Sequence, residues 1–260
     1  MGILNITPDS FSSDGILCSP QKAVRRALEM EKEGADLLDL GAESTRPGAR
    51  LLSQKEEIGR LLPTLKKIRN KIQIPISIDT QNSETARLAL EEGAQIINDV
   101  SGLQKDSRMA GVVARLKAGL ILMHGRGNAK TMMHQNRYQN LVTDVIKELK
   151  VSLKKAADAG IIKGRIAIDP GVGFAKIGNQ NIELIRSIER IRKIGYPICL
   201  GISRKSFIGA LTGQLPQERD YGTTALHSLM IERGVNILRT HNVRAAKQAV
   251  LVTQNFLKRS

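Results

Sequence analysis

The chain has 260 residues, with 40 Lys and Arg against 25 Asp and Glu, giving a formal charge of +15. That excess draws anions over a distance. With no Trp, three Tyr and four Phe there is no platform for stacking bases, so small phosphorylated molecules are expected as partners and nucleic acid is not. Two Cys exclude a disulfide framework, and no apolar run nears the roughly 18 residues of a membrane span, so a reduced, cytoplasmic setting with no membrane partner is expected.

Short apolar runs at 2–6, 36–40, 75–78, 95–98, 119–123, 165–168, 197–201 and 235–238 read as strands. Amphipathic segments near 20–34, 54–70, 83–92, 106–117, 138–159, 180–194, 220–233 and 243–257 separate them and read as helices. The strands are apolar throughout rather than alternating, as when both faces of a parallel sheet are covered. No linker or low-complexity tract divides the sequence, so residues 1–260 are read as one domain. Eight βα units in about 250 residues match an α/β fold of the closed (β/α)8 TIM-barrel type. A doubly wound open sheet is the alternative, but no Gly-x-Gly-x-x-Gly turn supports it.

In a barrel the chemistry belongs at the carboxyl ends of the strands, and all eight ends are polar. Strand 1 leads to Asn5, strand 2 to Gly41-Ala-Glu-Ser-Thr-Arg-Pro-Gly48, strand 3 to Asp79 and strand 4 to Asn98-Asp99. Strand 5 leads to Met123-His124, strand 6 to Asp169-Pro-Gly-Val-Gly-Phe174, strand 7 to Ser203-Arg-Lys205, and strand 8 to Arg239-Thr-His241. Asp79, Asn98 and Asp169 would face one mouth, where a carboxylate can accept paired N–H bonds from a guanine-like or pterin-like edge. Lys205 adds a cation near a ring carbonyl. Arg46, Arg239 and His241, with the hydroxyls of Ser44 and Thr45, suit a diphosphate. Asn5 could join a Mg²⁺ held mainly by phosphate oxygens. Each Asp could instead cap the helix after it, a reading preferred for Asp99 and Asp14. His124, His134 and His227 read as structural or surface residues.

These motifs together resemble the dihydropteroate synthase family along nearly the whole chain. The matching stretches are MGILNITPDSF at 1–11, ESTRPG at 43–48, ISIDT at 76–80, IINDV at 96–100, LMH at 122–124, DPGVGF at 169–174, GISRKSFIG at 201–209 and RTH at 239–241. The resemblance implies a cytoplasmic, homodimeric transferase. It would join 6-hydroxymethyl-7,8-dihydropterin diphosphate to p-aminobenzoate, with loss of diphosphate and with Mg²⁺, and sulfonamides would compete. It implies that Asp79, Asn98, Met123, Asp169 and Lys205 hold the pterin, and that Asn5, Arg239 and His241 hold diphosphate and metal. Phe11, Thr45, Arg46, Pro47, Phe174 and Ser203 would shape the p-aminobenzoate site, with Arg46, Asp79, Asp169 and Lys205 carrying the chemistry. The loop at 41–48 is then expected to close as a lid. Ala175 stands where the family commonly has Gly, Gly125 where it has Met, and Asn242 where it has Asp. A pterin-binding methyltransferase barrel and a catalytically inactive paralogue are the alternatives.

Overall fold

The computed structural model describes residues 1–6, 19–43 and 48–257. Eight parallel strands form the wall: β1 Gly2–Asn5, β2 Leu38–Gly41, β3 Ile76–Asp79, β4 Ile96–Asp99, β5 Gly119–Met123, β6 Ile166–Asp169, β7 Cys199–Gly201 and β8 Ile237–Arg239. β1 to β6 pair in chain order and β7 pairs with β8. Two parallel bridges, Ile168 to Ile198 and Gly2 to Thr240, join these sets into a closed ring. Across the last seam Ile3 N donates to Thr240 O at 2.9 Å and Thr240 N to Met1 O at 3.0 Å. Closure in sequential order rules out the doubly wound sheet.

Alternation along each strand sorts the side chains. Leu4, Leu38, Leu40, Ile76, Ile78, Ile97, Leu120, Leu122, Ile166 and Ile168 belong to the main core, on the face covered by helices. Ile121, Ala167 and Cys199 form a separate apolar cluster with Ile96 and Ile237, which fills the lumen. The other parity places Asp39, Ser77, Asp79, Asn98, Asp169 and Arg239 above and beside that plug.

Ten helices surround the strands among the described residues: α1 Pro20–Lys32, α2 Gln54–Ile68, α3 Ser83–Glu91, α4 Met109–Arg115, α5 Leu141–Asp158, α6 Asn179–Arg186, α7 Ile188–Arg192, α8 Ser206–Thr212, α9 Asp220–Glu232 and α10 Val243–Leu257. α2 starts at a capping box in which Ser53 and Glu56 satisfy each other's backbone N–H. Its buried Glu57 accepts from Thr80 Oγ1 at 2.7 Å, Asn82 Nδ2 at 2.6 Å and Thr85 Oγ1 at 2.7 Å, fixing the loop after β3. The sequence differs from the structure in two helical regions. The expected helix at 180–194 is broken at Ser187, whose N–H bonds both Glu183 O and Leu184 O. The short α8 falls in a stretch read as loop.

Candidate active site

The expected strands ended where hydrophobicity ended, but the ladders run further. Asp79, Asp99, Asp169 and Arg239 are the last residues of their strands. They are therefore held by the barrel wall rather than by loops, which fixes the direction of each side chain.

Asn98, Met123, Asp169, Phe174, Lys205 and Arg239 line one cleft at the carboxyl end of the barrel, with Val100, Val172 and Gly201. Asp79 lies beneath it: Arg239 Nη2 donates to Asp79 Oδ2 at 2.8 Å and Arg239 Nε to Asp39 Oδ2 at 2.6 Å. Asp39 Oδ2 also accepts from Asn98 Nδ2 at 3.1 Å. The amide of Asn98 is thereby oriented, with its oxygen left to accept from a ligand. Asp39, 0 % exposed, is a residue that sequence reasoning passed over inside an apolar run. A carboxylate in a strand covered on both faces needs a charged partner, and that requirement was the available signal.

Burial pushes Asp79 up to about 7, against the pull of Arg239 and with Asp39 adding to the rise. Burial also raises Asp169, opposed by the Gly171 N–H and by Lys205, Arg239 and Lys176. For Arg239 burial works against the charge, but Asp39 and Asp79 outweigh it and hold the pKa above the usual arginine value. Neither Asp79 nor Asp169 caps the helix that follows it, where Asn82 and Gly178 hold the N-cap positions. Asp169 Oδ1 takes the N–H of Gly171 at 2.7 Å. Asp99 does have a structural role, but on a turn: it accepts from Ser101 N at 2.8 Å, Ser101 Oγ at 2.7 Å and Leu103 N at 2.8 Å.

Gly41 sits between Asn5 and Asp79 in register. A Cβ there would meet both neighbours at ordinary contact distance, 3.4 Å from Asp79 Cβ and 3.5 Å from Asn5 Oδ1, which shows how closely the two side chains approach over it. Lys205 Nζ stands 4.4 Å from the centre of the Phe174 ring. Ser203 is not in the cleft lining: its Oγ meets His241 Nδ1 at 3.0 Å and accepts from His241 N at 3.2 Å, so it orients the imidazole. Asn242 donates to Asp220 Oδ2 at 3.0 Å and accepts from Ala245 N at 3.0 Å, opening α10. An Asp in its place would face the Asp220 carboxylate. Among the described residues no group of three or more His, Cys, Asp and Glu could hold a metal ion. Asn5 offers one carbonyl oxygen, which fits a Mg²⁺ held chiefly by its substrate. Phe11, Thr45, Arg46 and Pro47, with Ser44, Asp14 and Cys18, lie outside the described residues. His134 is exposed, and His227 is buried with neither ring nitrogen bonded.

A closed parallel barrel whose mouth combines buried carboxylates, an amide, a lysine and an arginine defines a binding site for a polar heterocycle carrying an anion. The family model described as pterin binding enzyme matches residues 1–241, and the chain belongs to that family. Dihydropteroate synthases from Synechocystis and from Clostridium beijerinckii are 43% and 42% identical to it. The alignments cover 95% and 100% of this chain and 86% and 94% of those proteins. Solved dihydropteroate synthases superpose closely. That of Clostridium difficile, in the presence of pteroic acid, has a TM-score of 0.92 at 40% identity and covers 99% of this chain and 96% of its own. That of Yersinia pestis, in complex with a sulfonamide drug, has a TM-score of 0.94 at 33% identity and covers 98% and 92%. The Xanthomonas albilineans enzyme, with 4-aminobenzoic acid, has a TM-score of 0.92 at 39% identity and covers 100% and 93%. Within the pterin-binding family the chain is a dihydropteroate synthase, a transferase of folate biosynthesis.

Proposed function

We propose that the cleft holds the dihydropterin between Asn98, Asp169 and Lys205, with Met123 against the ring and Asp79 below it. Asn5, Arg239 and His241 take the diphosphate. Asn5 would also hold Mg²⁺, which would neutralise charge on the diphosphate oxygens. p-Aminobenzoate docks on Phe174 and Lys205, near the Ser203–His241 pair, under Phe11, Thr45, Arg46 and Pro47. The carbon–oxygen bond breaks first: diphosphate leaves with the electron pair, and Asp169 lies near the positive charge that develops on the pterin. The amine lone pair of p-aminobenzoate then forms the carbon–nitrogen bond and the nitrogen loses a proton. The observation that carries this reading is the convergence of Asn98, Asp169, Lys205 and Arg239 on one cleft.

Incubation with dihydropterin diphosphate, p-aminobenzoate and Mg²⁺ should give dihydropteroate by mass detection. Folded protein that makes none would overturn the assignment. Sulfonamides should compete with p-aminobenzoate and not with the pterin substrate. A homodimer is supported by exposed apolar side chains on the adjacent α9 and α10, among them Tyr221, Leu229, Val252 and Phe256; sedimentation as a monomer would refute it. A cytoplasmic setting is supported by the buried free thiol of Cys199. No helix among the described residues is long and apolar enough to cross a membrane.

A further inference from the structure

Lys176 follows the Asp169–Phe174 segment and is 2 % exposed. A buried ammonium is tolerated only when its donors are taken. Its Nζ lies 2.8 Å from Phe174 O, 3.0 Å from Gly171 O and 2.9 Å from His124 Nδ1, three acceptors for three protons. Burial lowers its pKa to about 7, while Asp169 acts to keep it charged.

The donor on one side fixes the tautomer on the other. His124 Nδ1 must accept from Lys176, so Nε2 carries the hydrogen and donates to Glu148 Oε2 at 3.0 Å. Burial first, then the Lys176 charge, hold His124 down to about 4, so the ring is neutral. Glu148, on α5, is gripped in turn by the Arg126 guanidinium. The backbone joins the same assembly: His124 N donates to Asp169 O at 2.8 Å. At Gly171, with φ of 70°, a Cβ would collide with His124 O. The turn after β6 is therefore anchored through Lys176 to the loop after β5 and to α5.

We propose that Lys176, seated on neutral His124, is a positioning residue for the transfer reaction. It touches no substrate. It fixes the carbonyls of Gly171 and Phe174 and so presents a formed Phe174–Lys205 wall to p-aminobenzoate. The inference rests on the assignment of Phe174 to the p-aminobenzoate site.

Lys176→Met keeps the stem and removes the donors. Hydrogen bonds to charged groups being worth what they are, the variant should raise KM for p-aminobenzoate by about tenfold or more. KM for dihydropterin diphosphate should stay within about threefold, since Asp169 keeps its bonds to Gly171 N and His124 N. His124→Asn retains an acceptor near Nδ1, whereas His124→Gln reaches toward Nε2 and Glu148. The Asn variant should hold KM for p-aminobenzoate nearer to wild type than the Gln variant. The proposal is overturned by unchanged KM values in Lys176→Met, by equal rises for both substrates, or by the reverse order of the His124 pair. The His124 pair decides the matter should Lys176→Met not fold. Phe174→Ala is the control: an unmoved KM for p-aminobenzoate there means the site assignment has failed, whereas a raised one beside an unaffected Lys176→Met means this inference alone has failed.

Discussion

Arg239 and Asp79, expected on the diphosphate and on the pterin respectively, are bonded to each other at 2.8 Å. That bond ties up one nitrogen of Arg239 and one oxygen of Asp79. On the proposed assignment, diphosphate taking Nη2 of Arg239 would release Asp79 for the pterin edge, so that the two halves of one substrate would be recognised together.

An ionised Asp79 is the form that accepts ring N–H bonds. With its pKa raised to about 7, kcat/KM for dihydropterin diphosphate should climb as pH rises through neutrality. Asp79→Asn should flatten that limb and lower kcat/KM by about 100-fold, the scale of losing charged hydrogen bonds. A pH–rate profile checks this; a wild-type profile flat from about pH 6 to 8 would refute it.

Asp39→Ala should destabilise the fold by about 3–5 kcal/mol, because it leaves the Arg239 guanidinium with half of its buried counter-charge and frees the Asn98 amide. Urea unfolding gives the number. An unchanged midpoint would show that Arg239 does not depend on Asp39.

Ala175 is buried at φ of 50°, the left-handed region. An L-residue there costs about 1–2 kcal/mol, while glycine adds back less than about 1 kcal/mol of chain entropy. Ala175→Gly should therefore raise the thermal midpoint by about 1–4 °C. A lower midpoint would mean that the Ala methyl contributes more by packing than the backbone loses by strain.

His227 has no hydrogen-bond partner, and burial, followed by the N-terminal charge, lowers its pKa to about 4. Unfolded chains bind its proton near pH 6.5, so between these values the unfolded state holds more protons. Stability should thus fall as pH drops from about 6.5 toward 4, by up to about 3 kcal/mol. His124 contributes in the same direction. Denaturant midpoints against pH should show a shallower slope for His227→Leu than for wild type.

The fold was readable because eight apolar runs and their helical spacers follow simple periods. Within the site, Asn98, Asp169, Lys205 and Arg239 are legible from chemistry at strand ends and Met123 and Phe174 from the family resemblance, and the structure gathers all six in one cleft. Asp39 and Lys176 escaped because the side chain that each meets is distant in sequence, so the sequence does not name the partner. Asp39 meets an arginine 200 positions away and Lys176 a histidine 52 positions away. Helix α8 lies directly behind the Ser203–Lys205 strand end and reads with it as loop. The Ser203 contact with His241 needed the pairing of β7 with β8, which brings their carboxyl ends together.

Arg239 also stands on β8, the last of the eight strands in chain order. Until it docks, Asp39 and Asp79 lack their cation, and a barrel wall of β1 to β6 would carry two carboxylates with nothing to neutralise them. The ion pair that shapes the pocket thus also ties formation of a competent site to the docking of β8.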